Sequence, residues 1–328
     1  MAESIKLHNV EVTKNMMLFS GSQNPELAEK ISKHLGVDLG NVKLKAFENG
    51  EVYARYLDSV RGSDVFLIQS VSGKVNDALM ELLVMTDAAK RASARSVTAV
   101  IAHYGYSRQD KKSAAREPIT AKLVANLLTV AGVGRIITVD LHQGQIQGFF
   151  DIPVNHLTAL PIFADYFLSK KLKDICIVSP DVGRAKAAKK LSDMLDANLA
   201  IMQKTRPDHN AAEITNVIGD VNGKTCILND DMIDTAGSVV AAIAALKKEG
   251  AQDVYICATH GLFSGPAYER LAHADVKEVV ICDTVPVPLE RQTGKIHVVT
   301  VAPLLAHAIA NVFLEASVSE LFDPEFAL

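Results

Sequence analysis

The stretch Cys226-Ile227-Leu228-Asn229-Asp230-Asp231-Met232-Ile233-Asp234-Thr235-Ala236-Gly237-Ser238 limits the fold more than any other part of this 328-residue chain. Residues 225–228 form an apolar run that reads as a buried strand. After Ser238 the run Val239-Val240-Ala241-Ala242-Ile243-Ala244-Ala245-Leu246 keeps helical spacing. Thr235, Gly237 and Ser238 therefore fall in the turn or the first helical turn, where backbone N–H groups have no partner inside the helix. Such a turn receives anions: the two hydroxyls donate, the glycine lets the backbone come close, and the helix dipole favours a phosphate. Asp230 and Asp231, at the carboxyl end of the strand, offer acceptor oxygens to a vicinal diol.

Two other readings of the same string have to be weighed. A DDxxD cluster binds magnesium in prenyl-chain synthases, but there it sits within a helix of an all-helical protein. Here a strand precedes it and Thr-Ala-Gly-Ser follows. An Asp cluster at a strand end is also often a helix cap with solvated neighbours. The choice depends on the rest of the chain.

That rest reads as the same plan written twice. Residues 16–19 form a short strand, Asn24-Pro25 opens a helix through Leu35, and Gly36 stops it. Phe47-Glu48-Asn49-Gly50-Glu51-Val52-Tyr53 is a turn between strands. Strands follow at 64–69, 96–103 and 135–140, with helices at 76–92 and 119–131. A second series has strands at 175–179, 225–228, 254–258 and 279–283, and Gly223 precedes its strand as Gly62 does. The fold class expected is α/β, two tandem domains of similar plan, each a mainly parallel sheet flanked by helices. The boundary falls near Pro153-Val154-Asn155-His156, giving domains 1–155 and 156–328, with the last helix packing back on the first domain.

Composition narrows the function. A net charge of −4 gives no support to a nucleic-acid or membrane surface. Basic residues cluster locally instead, in Arg108-Gln109-Asp110-Lys111-Lys112 and Lys204-Thr205-Arg206, which suits a small anionic substrate. The four cysteines, Cys176, Cys226, Cys257 and Cys282, each lie in an expected buried strand without metal-type spacing, so they read as core thiols in a reducing compartment. No apolar run approaches membrane length, and the expected location is the cytoplasm.

Several loops at strand ends carry chemistry. A strict P-loop is missing: residues 219–225 are one residue short of it and precede a strand where a P-loop follows one. His142, after Asp140, and Asp181, after the strand at 175–179, pair across a cleft as candidate magnesium ligands, since magnesium takes few protein ligands beside phosphate oxygens and water. Arg108 and Gln109 follow an aromatic-Gly-aromatic at a strand end and suit phosphate contact. Lys204 and Arg206 open a polar stretch through Asn216 that reads as a mobile flap, placing two cations over a transferring phosphoryl group.

Taken together, Phe47-Glu48-Asn49-Gly50-Glu51, Tyr104-Gly105-Tyr106-Ser107-Arg108-Gln109-Asp110-Lys111-Lys112, the run from Asp140 to Phe150, Ser179-Pro180-Asp181 and the Asp230 loop resemble the ribose-phosphate pyrophosphokinase family, over almost the whole chain. The resemblance implies two type I phosphoribosyltransferase-like domains and the reaction of ATP with ribose 5-phosphate to give phosphoribosyl pyrophosphate and AMP. It implies that Asp230 and Asp231 hold the ribose hydroxyls, while Asp234, Thr235, Ala236, Gly237 and Ser238 cradle the 5-phosphate. Phe47, Asn49 and Glu51 then receive adenine, the last two from a neighbouring subunit, with Arg108 and Gln109 on the nucleotide. His142 and Asp181 position Mg2+, Lys204 and Arg206 form the catalytic flap, and the chain self-associates into a hexamer.

The chain departs from the family pattern at four places. Asn229 stands where an apolar residue is usual, Ser238 replaces Thr, and Arg184 occupies a position normally Gly. Ala115 replaces a Ser that helps form a regulatory phosphate/ADP site. Two other functions compete. A phosphoribosyltransferase shares the Asp230 loop but needs only one such domain. A non-catalytic regulatory homologue is expected to lose the flap cations or the metal ligands, and all four are present.

Overall fold

The computed structural model describes residues 14–208, 211–292 and 294–318, with the side chains of residues 204–208 and 211–215 outside that description. The first half runs β1 (Met16–Ser20), α1 (Pro25–Leu35), β2 (Val42–Ala46), β3 (Val52–Tyr56), β4 (Asp64–Gln69), α2 (Val75–Arg91), β5 (Ser96–Ile101), α3 (Thr120–Ala131), β6 (Arg135–Val139) and β7 (Val154–Leu157). The local signals act as expected at α1. Asn24 accepts a hydrogen bond from the Leu27 amide, Pro25 fills the first turn, and Gly36 ends the helix at φ 66°.

The second half runs α4 (Leu160–Lys170), β8 (Ile175–Ser179), α5 (Ala185–Met194), β9 (Asn198–Asp208), β10 (Ala211–Ile218), β11 (Thr225–Ile233), α6 (Gly237–Lys248), β12 (Asp253–Gly261), α7 (Ala267–His273), β13 (Glu278–Cys282), β14 (Ile296–Val299) and α8 (Ala302–Phe313). Its sheet has the order β10-β9-β8-β11-β12-β13-β14, and the first has β1-β4-β5-β6-β7. Every neighbouring pair is parallel except β10 with β9. The run β8-β11-β12-β13-β14 thus repeats the order of the first sheet, strand for strand. Each half also inserts an antiparallel hairpin after the helix that follows its first strand: β2–β3 stands apart as its own ribbon, while β9–β10 is welded to the sheet edge. Gly62 and Gly223, at φ 69° and 70°, make the same left-handed turn before β4 and β11.

Each sheet is covered on both faces, as parallel sheets require. One face of the first packs on α2 and α3, and one face of the second on α6 and α7. The other two faces share a single apolar layer, in which Leu18, Phe66 and Ile137 from one sheet meet Ile177, Ile227 and Val280 from the other through α1, α4, α5 and α8. Phe163 and Phe167 of α4 are fully buried there, and the Phe167 ring stands edge-on to Tyr255 of β12 at 6.1 Å. Helix α8 packs on α1 and touches β6, so the last described helix does return to the first half.

Four elements differ from the sequence reading. β11 continues past Leu228 to Ile233 because β12 keeps pairing with it after β8 has ended, so the carboxylates lie on the strand itself. β7 crosses residue 155 and pairs with β6, so the expected boundary cuts a strand. β14 adds a strand after the expected last one. Residues 204–208 and 211–216 lie on the two arms of a hairpin, where the sequence reading expected a mobile loop or flap, and Pro207, which has no N–H to donate, falls at a register shift between the Thr205 and Asp208 pairs.

All four cysteines are buried and unbridged. Among the described residues no helix is long and apolar enough to cross a membrane. If the shared layer sets the arrangement of the two halves, Phe167→Ala should cost about 3–5 kcal/mol of unfolding free energy by urea titration. A loss under about 1 kcal/mol would be that of an ordinary surface change and would remove the layer from that role.

Candidate functional site between the two halves

Parallel strands place all their carboxyl ends on one edge, and ligands of such sheets lie beyond that edge. The strand-end loops of both halves meet there. Arg108, after β5, donates from Nη1 to the Asp234 carboxylate at 2.7 Å. His142, after β6, places Nδ1 2.7 Å from Asp231 Oδ2. Asp140 ties the halves a third time, its carboxylate accepting from the Ala159 amide at 2.9 Å and from the Thr259 hydroxyl at 2.7 Å. The sequence reading picked out Asp140 only as the neighbour of His142. Its holding role depends on a residue 119 positions away, and no local pattern announces that.

The turn after β11 is built as an anion cradle. Ala236 adopts φ 59°, a left-handed conformation that costs a side-chain-bearing residue roughly 1–2 kcal/mol. That turn starts α6 at Gly237 and leaves the first amides of the helix facing outward. Arg270 of α7 donates to the Thr235 carbonyl at 2.9 Å. A Cβ on Gly237 would lie 3.3 Å from the same guanidinium, so the glycine admits the arginine. Sequence reasoning did not find Arg270, which acts through backbone from a separate helix.

A cleft of about 920 Å3 opens in front of this turn, lined by residues 71–77 and 105–109 from the first half and by Met232, Asp234, Leu262 and Ser264 from the second. Arg108, Gln109 and Asp234 are therefore brought together, as expected. A second cavity of about 330 Å3 is bordered by His142, Arg184 and Asp230 among others. Phe47, Asn49 and Glu51 are not in either. They border a separate groove at the tip of the β2–β3 ribbon, with Phe47 44% exposed, and Asp77 borders both that groove and the large cleft. Asp181 caps the turn before α5, its carboxylate accepting from the Arg184 amide at 3.1 Å. The bonded partner of His142 is Asp231, from the other half. The side chains of Lys204 and Arg206 lie outside the described residues; among the described residues no group of three or more His, Cys, Asp or Glu side chains gathers as a metal site.

The two buried carboxylates are driven apart electrostatically. Burial, then the charge of Asp231, pushes Asp230 up to about 7. Burial also opposes ionisation of Asp231, but the hydrogen bond from His142 and the charges of Arg184 and His142 outweigh it and hold that carboxyl well below its ordinary value. His142 is raised in turn, chiefly by the hydrogen bond to Asp231, with burial opposing. One site thus combines a carboxyl that carries a proton near neutrality with one that stays ionised.

Fold and cleft define a two-half α/β protein built to hold phosphate esters between paired strand-end loops. The N-terminal domain of ribose phosphate pyrophosphokinase matches residues 16–132, and the phosphoribosyl synthetase-associated domain matches residues 179–323. The ribose-phosphate pyrophosphokinases of Bacillus cereus and Corynebacterium ammoniagenes are each 52% identical to this chain over 312 residues, 95% of it and 98% of their own length. The crystal structure of phosphoribosylpyrophosphate synthetase from Mycobacterium smegmatis superposes with a TM-score of 0.88 at 46% identity, covering 92% of this chain and all of that one. The chain belongs to the ribose-phosphate pyrophosphokinase family.

The pKa directions fix a pH window for the His142–Asp231 contact. The raised histidine contributes stability fully below its ordinary 6.5 and loses it as pH rises through the folded value; the depressed aspartate contributes above its ordinary 3.8 and loses it as pH falls. An NMR titration of chelator-treated protein should therefore give His142 a midpoint above 6.5, and Asp231→Asn should bring it down. An unchanged midpoint in that variant would show that the contact does not govern the imidazole.

Proposed function

We propose that the protein transfers the β,γ-diphosphoryl group of ATP to the 1-hydroxyl of ribose 5-phosphate, giving phosphoribosyl pyrophosphate and AMP for nucleotide biosynthesis. The observation that carries this reading is the Arg108–Asp234 contact across one cleft. It puts the cation expected on the nucleotide within a hydrogen bond of the loop expected on the sugar phosphate.

On this reading the 5-phosphate rests on the amides of residues 235–238, with the Thr235 and Ser238 hydroxyls and the positive end of α6. Asp230 and Asp231 hold the ribose hydroxyls, the protonated member donating and the ionised one accepting. Arg108 and Gln109 receive the ATP phosphates. Lys204 and Arg206, on the β9–β10 hairpin, neutralise the charge that develops as the anomeric oxygen attacks the β-phosphorus in line and AMP leaves. There is little covalent work for the protein in such a step, so holding the two substrates in register supplies most of the rate.

His142 and Asp181 would hold magnesium. The donor set fits: with Nδ1 turned to Asp231, the imidazole has Nε2 left for a ligand, and two protein donors suffice when phosphate oxygens and water complete the shell. Bound there, the ion would neutralise phosphate charge. The outward-facing Phe47, Asn49 and Glu51 suit an adenine site shared with a neighbouring subunit, so self-association, up to a hexamer, belongs to this reading, as does a cytoplasmic location.

A phosphoribosyltransferase would leave the Arg108 and His142 loops of the first half without work. A non-catalytic homologue would not need Lys204, Arg206, His142 and Asp181 together.

Purified protein given magnesium, ATP and ribose 5-phosphate should release AMP; release of ADP instead would mean γ-phosphoryl transfer and end the proposal. Lys204→Ala should lower kcat by at least about 100-fold, on the scale of losing one electrostatic contact to the transition state. ATP affinity should shift far less, and equal losses would make the hairpin a binding element only.

A further inference from the structure

The peptide group that joins Asp140 to Leu141 is held on both sides by imidazoles, and the diphosphokinase reading gives neither of them work. His260, near the end of β12 in the second half, places Nε2 3.1 Å from the Asp140 carbonyl oxygen. His156, on β7 of the first half, receives the Leu141 amide on its own Nε2 at 2.9 Å. A carbonyl oxygen only accepts and an amide N–H only donates, so His260 carries a proton on Nε2 while His156 leaves Nε2 bare. Two like side chains thus take opposite roles on one peptide plane.

The surroundings fix both rings for these roles. Burial pushes both imidazoles below their ordinary 6.5, so His156 keeps the lone pair that accepts from Leu141. The buried His260 has Nδ1 2.8 Å from the Thr284 hydroxyl, and the Thr284 carbonyl accepts from Ser70 of the first half at 2.6 Å. The His103 ring, also from the first half, stands edge-on to His260 with centroids 4.5 Å apart. Turning Nε2 away from Asp140 would break these contacts.

The grip works against strain. Asp140 adopts φ 36°, a left-handed conformation that costs a side-chain-bearing residue roughly 1–2 kcal/mol and persists only where the surroundings over-determine it. Its amide donates to the Leu157 carbonyl at 2.9 Å, and its carboxylate is engaged by Ala159 and Thr259. That leaves its carbonyl, which His260 takes. His142 is the next residue after the gripped peptide, and its Nδ1 is 2.7 Å from Asp231. A rotation of the Asp140–Leu141 plane would swing that imidazole off the carboxylate. We propose that His260 and His156 are positioning residues of the diphosphokinase site, which grip the Asp140–Leu141 peptide from opposite sides and so hold His142 on Asp231 with Nε2 left for the metal. In this role neither ring touches the reacting atoms.

The kinetic arm of the test rests on the proposed function, which AMP release by the unsubstituted protein checks separately. His260→Leu and, independently, His156→Leu should each lower kcat at least about tenfold, because a displacement on the order of 1 Å at a reacting site has that effect. KM for ribose 5-phosphate, bound at the turn after β11, should stay within about twofold. His260→Gln, whose amide offers an N–H at similar reach, should keep kcat within about threefold.

The second arm is amide hydrogen exchange at Leu141, measured by NMR on metal-free, substrate-free protein, and it does not depend on the reaction. In the unsubstituted protein this amide should be protected like those of β7, and in His260→Leu it should exchange at least about tenfold faster while β7 is unchanged. An unprotected Leu141 amide in the unsubstituted protein overturns the inference whatever the variants do. A kcat within about twofold in His260→Leu overturns it as well, as does a tenfold kcat loss in His260→Gln, where the donor is retained. A kcat loss in His260→Leu with Leu141 exchange unchanged also overturns it, since the ring would then act by another route. If the unsubstituted protein releases no AMP, the proposed function fails, and the exchange arm alone decides whether His260 holds the peptide.

Discussion

The shared apolar layer between the two sheets is the constraint on which the site depends. A parallel sheet has one chemically active edge, since all its strands end there. Two such sheets with the same strand order, set face to face through α1, α4, α5 and α8, bring two active edges alongside. The ends of β5 and β6 then reach the end of β11. The bonds from Arg108 to Asp234 and from His142 to Asp231 are each 2.7 Å long, and a slip of one helical residue, about 1.5 Å, would break both. Each half alone carries an incomplete set: one has Arg108 and His142 without the phosphate turn, the other the turn without Arg108 and His142.

The same closeness explains the odd pairing of charges on β11. Neighbouring buried carboxylates are costly when both are ionised. Here the cost is divided by giving them different surroundings. Asp231 faces His142 from the other half, and Asp230 is left with burial and the charge of its neighbour. Neither half alone produces this asymmetry, because the imidazole that stabilises one carboxylate comes from 89 residues away. A sugar diol presents both donors and acceptors, so a mixed carboxyl pair serves it better than two carboxylates would.

What the sequence made legible was the part written in local patterns. The strands at 64–69 and 175–179, the cap and stop of α1, the β2–β3 turn, the buried cysteines and the start of α6 all follow from neighbouring residues. Even the duplicated plan was readable, from glycines before strands and polar turns after them. The failures were places where pairing with a distant strand decided the outcome. Asn229, Asp230 and Asp231 look like a loop and form a strand because β12 runs on beside them. β7 and β14 are four-residue edge strands whose stability comes from β6 and β13. The stretch from Lys204 to Asn216 lacks hydrophobic alternation, yet residues 204–208 and 211–216 lie on paired hairpin arms, held by their own backbone ladder. In the site, Phe47, Asn49 and Glu51 were recognised by motif, but no single-chain pattern could say that they border a separate groove.

The Arg108–Asp234 pair also shows how the cleft can be preorganised without being locked. The two side chains are 56% and 32% exposed, and ion pairs in that setting contribute about 0–1 kcal/mol. Holding Arg108 there therefore costs little to undo. In the proposed reaction a triphosphate brings several negative oxygens to the same guanidinium, and a bidentate contact with phosphate is stronger than one hydrogen bond to a half-solvated carboxylate. Arg108 can leave Asp234 for the nucleotide with little penalty, and the carboxylate is released at the mouth of the sugar-phosphate turn. Asp231 is in the opposite position: it is 2% exposed and bonded to His142, and removing that partner would strand a buried charge. In the proposed reaction the cleft thus has one exchangeable contact where phosphate would arrive and one fixed contact where the sugar would be oriented, and that division follows from depth of burial, not from residue type.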